Sequence, residues 1–235
     1  MKKLGIIGAM SVEVETLKAE MKNLTVMKKA GMEFYDGVLE DLPVVVVQCG
    51  VGKVNAAMCA QVLCDCFHVT HLVNTGIAGS LCAQLDIGDL LISSDAMYHD
   101  VDATHFGYQM CEVPGMGVLN FVADPEMIAY AQTAAEMVNP GHSRIGRVAS
   151  GDVFVAEKCV KEKIIANTQA LCTEMEGAAI AHVAFRNKLP FVILRAISDK
   201  ADDSAEMDYP TFEAIAAHRC AQVARLVAKQ LSENQ

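Results

Sequence analysis

An α/β fold is expected for this chain, from three features of its sequence. Short apolar strands alternate with helical stretches over most of its length. Residues 171–199 read as strand, helix and strand, with the polar groups gathered at one edge. With 235 residues, 52% hydrophobic and 20% charged, the chain can build a sizeable core and does not have the composition of a disordered one. No linker or internal repeat divides it, so residues 1–235 are read as one domain.

Taken in order, Leu4, Ile6 and Ile7 form a short apolar strand bounded by Gly5 and Gly8, and Ser11, Val12, Val14 and Leu17 begin an amphipathic helix. The glycines follow G-x-x-G, which does not match the dinucleotide fingerprint. Glu13 falls in the first turn of that helix, just beyond the strand. Residues 33–39 and 43–48 form a hairpin joined by Glu40 and Asp41. Gly50, Val51, Gly52 and Lys53 then open a helix to about residue 66. A triphosphate loop would need Gly at 47 and Ser or Thr at 54, where this chain carries Val47 and Val54.

Residues 72–80 are a strand ending in Gly76, Ile77, Ala78 and Gly79, small enough for a flat ligand to approach the backbone. An ordinary turn is the equal alternative there. A further strand covers 87–98. His99, Asp100, Asp102 and His105 follow it and could ligate a metal, but they lack a recognisable ligand spacing, and the glycine-rich run to Gly117 reads as a loop capping a pocket or a subunit contact. Residues 125–137 are a helix with Asp124 as N-cap and Pro125 at its first position. A strand over 144–149, a helix over 156–167 and a last helix over about 210–231 complete the reading.

The segment 171–199 concentrates the chemistry. Ligands in open α/β sheets bind outside the carboxyl ends of strands, and here Glu174, Glu176, Arg195, Ser198 and Asp199 follow two apolar runs. Buried ions are costly unless paired. A structural alternative stands beside this one: Glu176 starts a helix and Arg195 pairs with Asp199.

The formal charge of -10 and the lack of clustered bases argue against nucleic acid binding. No apolar run approaches the roughly 18 residues of a membrane span, and Glu13 and Glu15 arrive too early for a signal peptide. A cytoplasmic location is expected, with the nine cysteines reduced and mostly in the core. Cys64, Cys66, His68 and His71 lack the paired C-x-x-C of zinc sites.

Gly8-Ala9-Met10 with Glu13, Gly50-Val51-Gly52-Lys53, Asn74-Thr75-Gly76, Tyr98-His99-Asp100, Ser150-Gly151-Asp152, Glu174-Met175-Glu176 and Arg195-Ala196-Ile197-Ser198-Asp199 occur in order along nearly the whole chain. Together they resemble the 5'-methylthioadenosine/S-adenosylhomocysteine nucleosidases of the purine nucleoside phosphorylase/uridine phosphorylase superfamily. The resemblance implies a three-layer α/β/α sandwich around a mixed, partly barrel-like central β-sheet. It implies a homodimer, no metal and no cofactor, and hydrolysis of the N-glycosidic bond of 5'-thio-substituted adenosines.

Carried over by position, the resemblance assigns the proton donor to adenine N7 to Asp199 and water activation to Glu13. Glu176 would hold the ribose hydroxyls. Phe154 would stack on adenine while the Val155 backbone reads its edge. Met10, Val51, Met175 and Tyr209 would line the ribose and 5'-thio pocket, and Arg195 and Ser198 would orient the acids. Ala103, Phe106 and Pro114 match positions that reach the partner's alkylthio pocket. Ile77 departs from the pattern, standing where relatives commonly carry Ser. A purine nucleoside phosphorylase is the alternative, but no arginine precedes Arg144 to supply the forked donors that suit phosphate. Water is therefore the expected nucleophile.

Overall fold

A computed structural model describes residues 2–202 and 205–234. The first strand, β1 (Leu4–Gly8), is buried along its whole length, as befits an apolar run covered on both faces. Helix α1 (Ser11–Glu20) follows, and its orphan N-terminal donors are met by Glu13, whose carboxylate reaches back to the Met10 amide. Strands β2 (Lys22–Lys29), β3 (Met32–Leu39) and β4 (Leu42–Gln48) form an antiparallel meander, turned at Glu40 and Asp41 in left-handed conformations. Helix α2 (Lys53–Phe67) starts from Gly52, whose φ of 100° a side chain would resist.

Strand β5 (His71–Ser80) and strand β6 (Leu90–Tyr98) come next, then a 3-10 turn at Thr104–Phe106 and the two-residue β7 (Phe121–Val122). In α3 (Pro125–Val138), Asp124 caps the helix by accepting from the Glu126 and Met127 amides. The chain then runs through β8 (Ser143–Ser150), α4 (Lys158–Thr168), β9 (Cys172–Glu174), α5 (Gly177–Asn187), β10 (Phe191–Asp199) and α6 (Ala205–Glu233).

The strands form one mixed sheet in the order β10-β6-β8-β9-β5-β1-β4-β3-β2, and β10 also pairs with β5. That last pairing closes β10, β6, β8, β9 and β5 into a barrel, from which β1, β4, β3 and β2 extend as an open wing. Helices cover the sheet on two sides. Ala56, Cys59, Ala60 and Leu63 of α2 and Ala178 to Ala181 of α5 bury into one apolar cluster. On the other side, Val14 and Leu17 of α1, Met127 and Ala131 of α3, and Ala217, Ala221, Ala224 and Ala228 of α6 bury into a second. The small residues on α6 let a long helix lie close against the strands. This is the three-layer, partly barrel-like architecture that the family resemblance implies.

Several details differ from the sequence reading. Strand β2 was not anticipated. Every residue in it is exposed, so its short Leu24-Thr25-Val26 alternation faces no core, and its pairing with β3 makes it a strand. The last helix begins at Ala205, with Pro210 inside it, because its first turns lack an apolar stripe to read. Strands β9 and β10 are not neighbours: β5 lies between them, antiparallel to β9 and parallel to β10. The polar groups of residues 171–199 therefore meet across β5, not across a shared strand edge. Five cysteines, Cys49, Cys59, Cys111, Cys172 and Cys220, are buried, whereas Cys159 is exposed.

Candidate active site

The carboxyl ends of β1, β4, β5, β8, β9 and β10 surround a cleft of about 570 Å3, counting the space open at its mouth. That size suits a small organic ligand. Four carboxylate residues line it: Glu13 from the first turn of α1, Glu174 at the end of β9, Glu176 from just beyond β9, and Asp199 from the end of β10.

Glu13 is 3% exposed. Its Oε2 accepts from the Ala9 and Met10 amides at 2.6 and 3.0 Å, and its Oε1 from the Ile77 amide at 3.2 Å. Burial raises its pKa above the ordinary value against the opposing pull of Arg195 and those amides. Ile77 itself lines the cleft beside it.

Gly76 explains how the acid and the arginine come so close. A Cβ there would overlap Arg195 Nη1 and stand 2.5 Å from Glu13 Oε1. The bare backbone of β5 is the floor across which α1 and β10 exchange charge.

Arg195, 1% exposed, lies beneath the cleft and is not in its wall. It donates to Glu174 Oε2 and, at 2.5 Å, to Asn74 Oδ1, whose amide nitrogen is in turn anchored on Ile7 O. Its partner is thus Glu174, and the Arg195–Asp199 pair of the structural alternative does not form. Glu176 accepts from the Gly52 amide at 2.9 Å, where the N-terminus of α2 points a backbone donor into the site. Burial, and after it the charge of Glu174, pushes the Glu176 pKa up to about 7.

Asp199 is the most separately housed of the acids. Ser198 Oγ donates to its Oδ2 at 2.8 Å and the Ala201 amide to its Oδ1 at 2.8 Å, while burial raises its pKa. Ser198 and Asp199 both line the cleft. Burial outweighs those two donors, which favour the charged form, so the acid keeps a proton to a higher pH than a solvated aspartate does.

The apolar candidates Met10, Val51, Phe154, Val155, Met175 and Tyr209 also line the cleft. Phe154 is 49% exposed and meets Tyr209 edge to face, with ring centroids 5.6 Å apart. The Tyr209 hydroxyl stands 3.2 Å from Met10 Sδ and 3.2 Å from Glu213 Oε1, tying the start of α6 to the β1–α1 turn. Ala103, Phe106 and Pro114 are not brought to this cleft: they lie on the segment between β6 and β7, with the Phe106 side chain 80% exposed.

The metal reading of His99, Asp100, Asp102 and His105 finds no geometric support. Asp100 accepts from Lys53 Nζ at 2.6 Å and from the Asp152 amide at 3.0 Å; Asp102 caps Thr104; His105 packs on the Phe106 ring. Among the described residues no group of three His, Cys, Asp or Glu side chains could hold a metal ion. The sequence reading missed the contributions of Gly52, Asn74 and Gly76. The glycine-rich strand end drew attention to the last, but nothing local ties it to Arg195.

Comparison with known proteins adds independent findings. Residues 3–231 match the family model described as the phosphorylase superfamily. The 5'-methylthioadenosine/S-adenosylhomocysteine nucleosidase of Staphylococcus carnosus is 38% identical over 97% of this chain and 100% of its own length. The nucleosidase of the same name from Colwellia psychrerythraea 34H, solved in complex with adenine, superposes with a TM-score of 0.94 at 36% identity, covering 98% of this chain and 96% of that one. The Neisseria meningitidis enzyme of that name, in complex with methylthio-immucillin-A, gives 0.95 at 34% identity, covering 98% and 100%.

Proposed function

The chain belongs to the phosphorylase superfamily, and from that premise we infer that it is a nucleosidase that hydrolyses the N-glycosidic bond of 5'-methylthioadenosine and S-adenosylhomocysteine. The products are adenine and the corresponding 5-thioribose. One observation carries this reading: Glu13, Glu176 and Asp199, distant in sequence, line the same cleft.

The chemistry requires that a poor leaving base depart while positive charge builds on the sugar. Asp199 is proposed to donate its proton to adenine N7, so that the electrons of the breaking C1'–N9 bond pass into a neutral base. Burial raises its pKa and so favours a proton held for that step, while the Ser198 and Ala201 donors orient the carboxyl and steady the carboxylate left behind. Glu13 is proposed to take a proton from the water that attacks C1', held by the Ala9, Met10 and Ile77 amides. Glu176 is assigned the ribose hydroxyls, whose hydrogen bonds strengthen as the ring becomes cationic, a contact that favours the transition state over the ground state.

Phe154 is assigned the stacking contact with adenine and Val155 the backbone contact with its edge. Met10, Val51, Met175 and Tyr209 form the apolar surroundings of the ribose and the 5'-thio group. Arg195 and Ser198 orient the acids. No lysine or arginine is found among the described residues lining the cleft, which favours water over phosphate as the nucleophile. Incubation with methylthioadenosine, with and without phosphate, tests the reaction. Free methylthioribose is expected at the same rate in both, and methylthioribose 1-phosphate formed only with phosphate would overturn it.

The chain is also proposed to act as a homodimer in the cytoplasm. Val54 at 76% and Phe106 at 80% exposure leave large apolar side chains in water, which suits a subunit contact. On that arrangement Ala103, Phe106 and Pro114 serve the partner's alkylthio pocket. Phe106→Ala should raise KM for methylthioadenosine while leaving adenine inhibition unchanged. The nine unpaired cysteines suit a reducing compartment.

A further inference from the structure

Glu174 ends β9 two residues before Glu176, and the two are buried alike, at 7% and 6% exposure. Their surroundings differ. Glu174 is filled with donors: Oε1 accepts from Ser150 Oγ, and Oε2 accepts from Arg195 Nη2 and from the amides of Glu176 and Gly177 at 3.2 and 2.7 Å. Ser150 is itself fixed, accepting from the Ala178 amide at 2.7 Å. Glu176 has the Gly52 amide, and Arg195 Nη2 stands 3.8 Å from its Oε2, beyond hydrogen-bond reach. One guanidinium thus faces two carboxylates and bonds to only one of them.

Building on the ribose-binding role of Glu176, we propose that Glu174 is a positioning residue: by taking up Arg195 and the Glu176 amide, it keeps the Glu176 carboxylate free to accept the ribose hydroxyls. A buried guanidinium must have an acceptor. Nη2 also donates to Asn74 Oδ1, but that amide is neutral; without the charge of Glu174 the carboxylate within ion-pair distance of Nη2 is Glu176, 3.8 Å away, a movement of about one ångström if the pair closes to ordinary hydrogen-bond length. The cation would then occupy the carboxylate that the substrate needs.

The groups facing Glu176 set the direction of a pH readout. Glu174 stands on its own segment, Arg195 on β10 and Glu13 on α1, and the Gly52 amide comes from the start of α2. The Cys49 thiol at the end of β4, pushed up to about 12 by burial with Glu176 contributing, stays protonated. Of these, Glu174 is the largest charge raising the Glu176 pKa. Removing that charge and letting Arg195 approach both lower it.

The test is Glu174→Gln, assayed with methylthioadenosine across pH. The acid limb of kcat/KM, which reports free-enzyme ionisations, is expected near pH 7 in the wild type and absent in Glu176→Gln. In Glu174→Gln it should move at least one pH unit lower, with kcat/KM at its plateau down ten- to a hundredfold and the adenine inhibition constant unchanged. A limb that does not move, or nucleoside and adenine affinities that fall in parallel, overturns the proposal, since a merely structural role would loosen both. If Glu174→Gln does not fold, Ser150→Ala takes its place by removing one anchor of Glu174. There kcat/KM should fall three- to tenfold with adenine inhibition intact, and a wild-type kcat/KM overturns the proposal. The two readings fail separately: an unchanged KM in Glu176→Gln removes the ribose-binding role, whereas a raised KM there with no effect of Glu174→Gln removes only the role of Glu174.

Discussion

Two charged clusters meet the start of α2, one through the Gly52 amide and one through Lys53, and they are built on opposite principles. The inner one sets Arg195 among Glu13, Glu174 and Glu176, every member less than 10% exposed. The outer one joins Lys53 to Asp100 and Asp152 at the start of α2, with side chains 22%, 21% and 49% exposed. In the outer cluster one cation is shared between two acids that water can also solvate, and the Asp100 pKa is lowered, as for an ordinary surface ion pair. In the inner cluster a single cation serves three carboxylates that water barely reaches, and the pKa values of Glu13 and Glu176 rise. The outer cluster ties the N-terminus of α2 to the loops after β6 and β8; the inner one gathers carboxylates at the cleft.

The largest break in that contrast should come from the acids themselves. Asp199→Asn and Glu13→Gln are each expected to slow adenine release by about 10²- to 10⁴-fold, measured under saturating methylthioadenosine. A loss below tenfold in both would leave the inner charges without a chemical task.

Stability against pH separates the clusters next. A carboxyl whose folded pKa is raised binds more protons in the folded than in the unfolded state between the two values. Its contribution is complete below about pH 4 and disappears as pH rises through the folded value, which for Glu176 is about 7. Relative to Glu176→Gln, the wild type should therefore lose on the order of 2 to 3 kcal/mol between pH 5 and pH 8. Urea unfolding of both proteins at the two pH values measures it, and a parallel pH response would contradict the burial argument.

Gly76→Ala probes the close approach itself. The added Cβ meets Arg195 and Glu13, and overpacking of this kind costs about 1 to 3 kcal/mol. That corresponds to a drop in Tm of roughly 2 to 4 °C per kcal/mol for a chain of this length, with activity falling alongside. The smallest effect is expected from Lys53→Ala in the outer cluster. A partly solvated ion pair is worth about 0 to 1 kcal/mol, so Tm should move by a few degrees at most and kcat/KM by less than about threefold. A larger loss would mean that the outer cluster holds Glu176 through the Gly52 amide, and the two clusters would then act as one.

Much of this molecule could be read from the chain. Strands β1, β4, β5 and β10 announce themselves as apolar runs, and the cap of α3 as Asp124 with Pro125. Strand β2 was not read, because its alternation is limited to Leu24-Thr25-Val26 between lysines and breaks at Met27. The site was legible as a set of residue types at strand ends. The partners were not: the pairing of Arg195 with Glu174 in preference to Asp199, the gap in β5 at Gly76, and the Gly52 amide on Glu176 involve residues up to 124 positions apart.

Patterning along the chain was sufficient for the alternation of strands and helices, the apolar core and the candidate acids, because hydrophobic period and capping are properties of neighbouring residues. Folding alone decided which strands close the barrel, which carboxylate takes the arginine and which acids hold their protons. Those outcomes depend on through-space distance and on exclusion of water, and neither is written in the order of the residues.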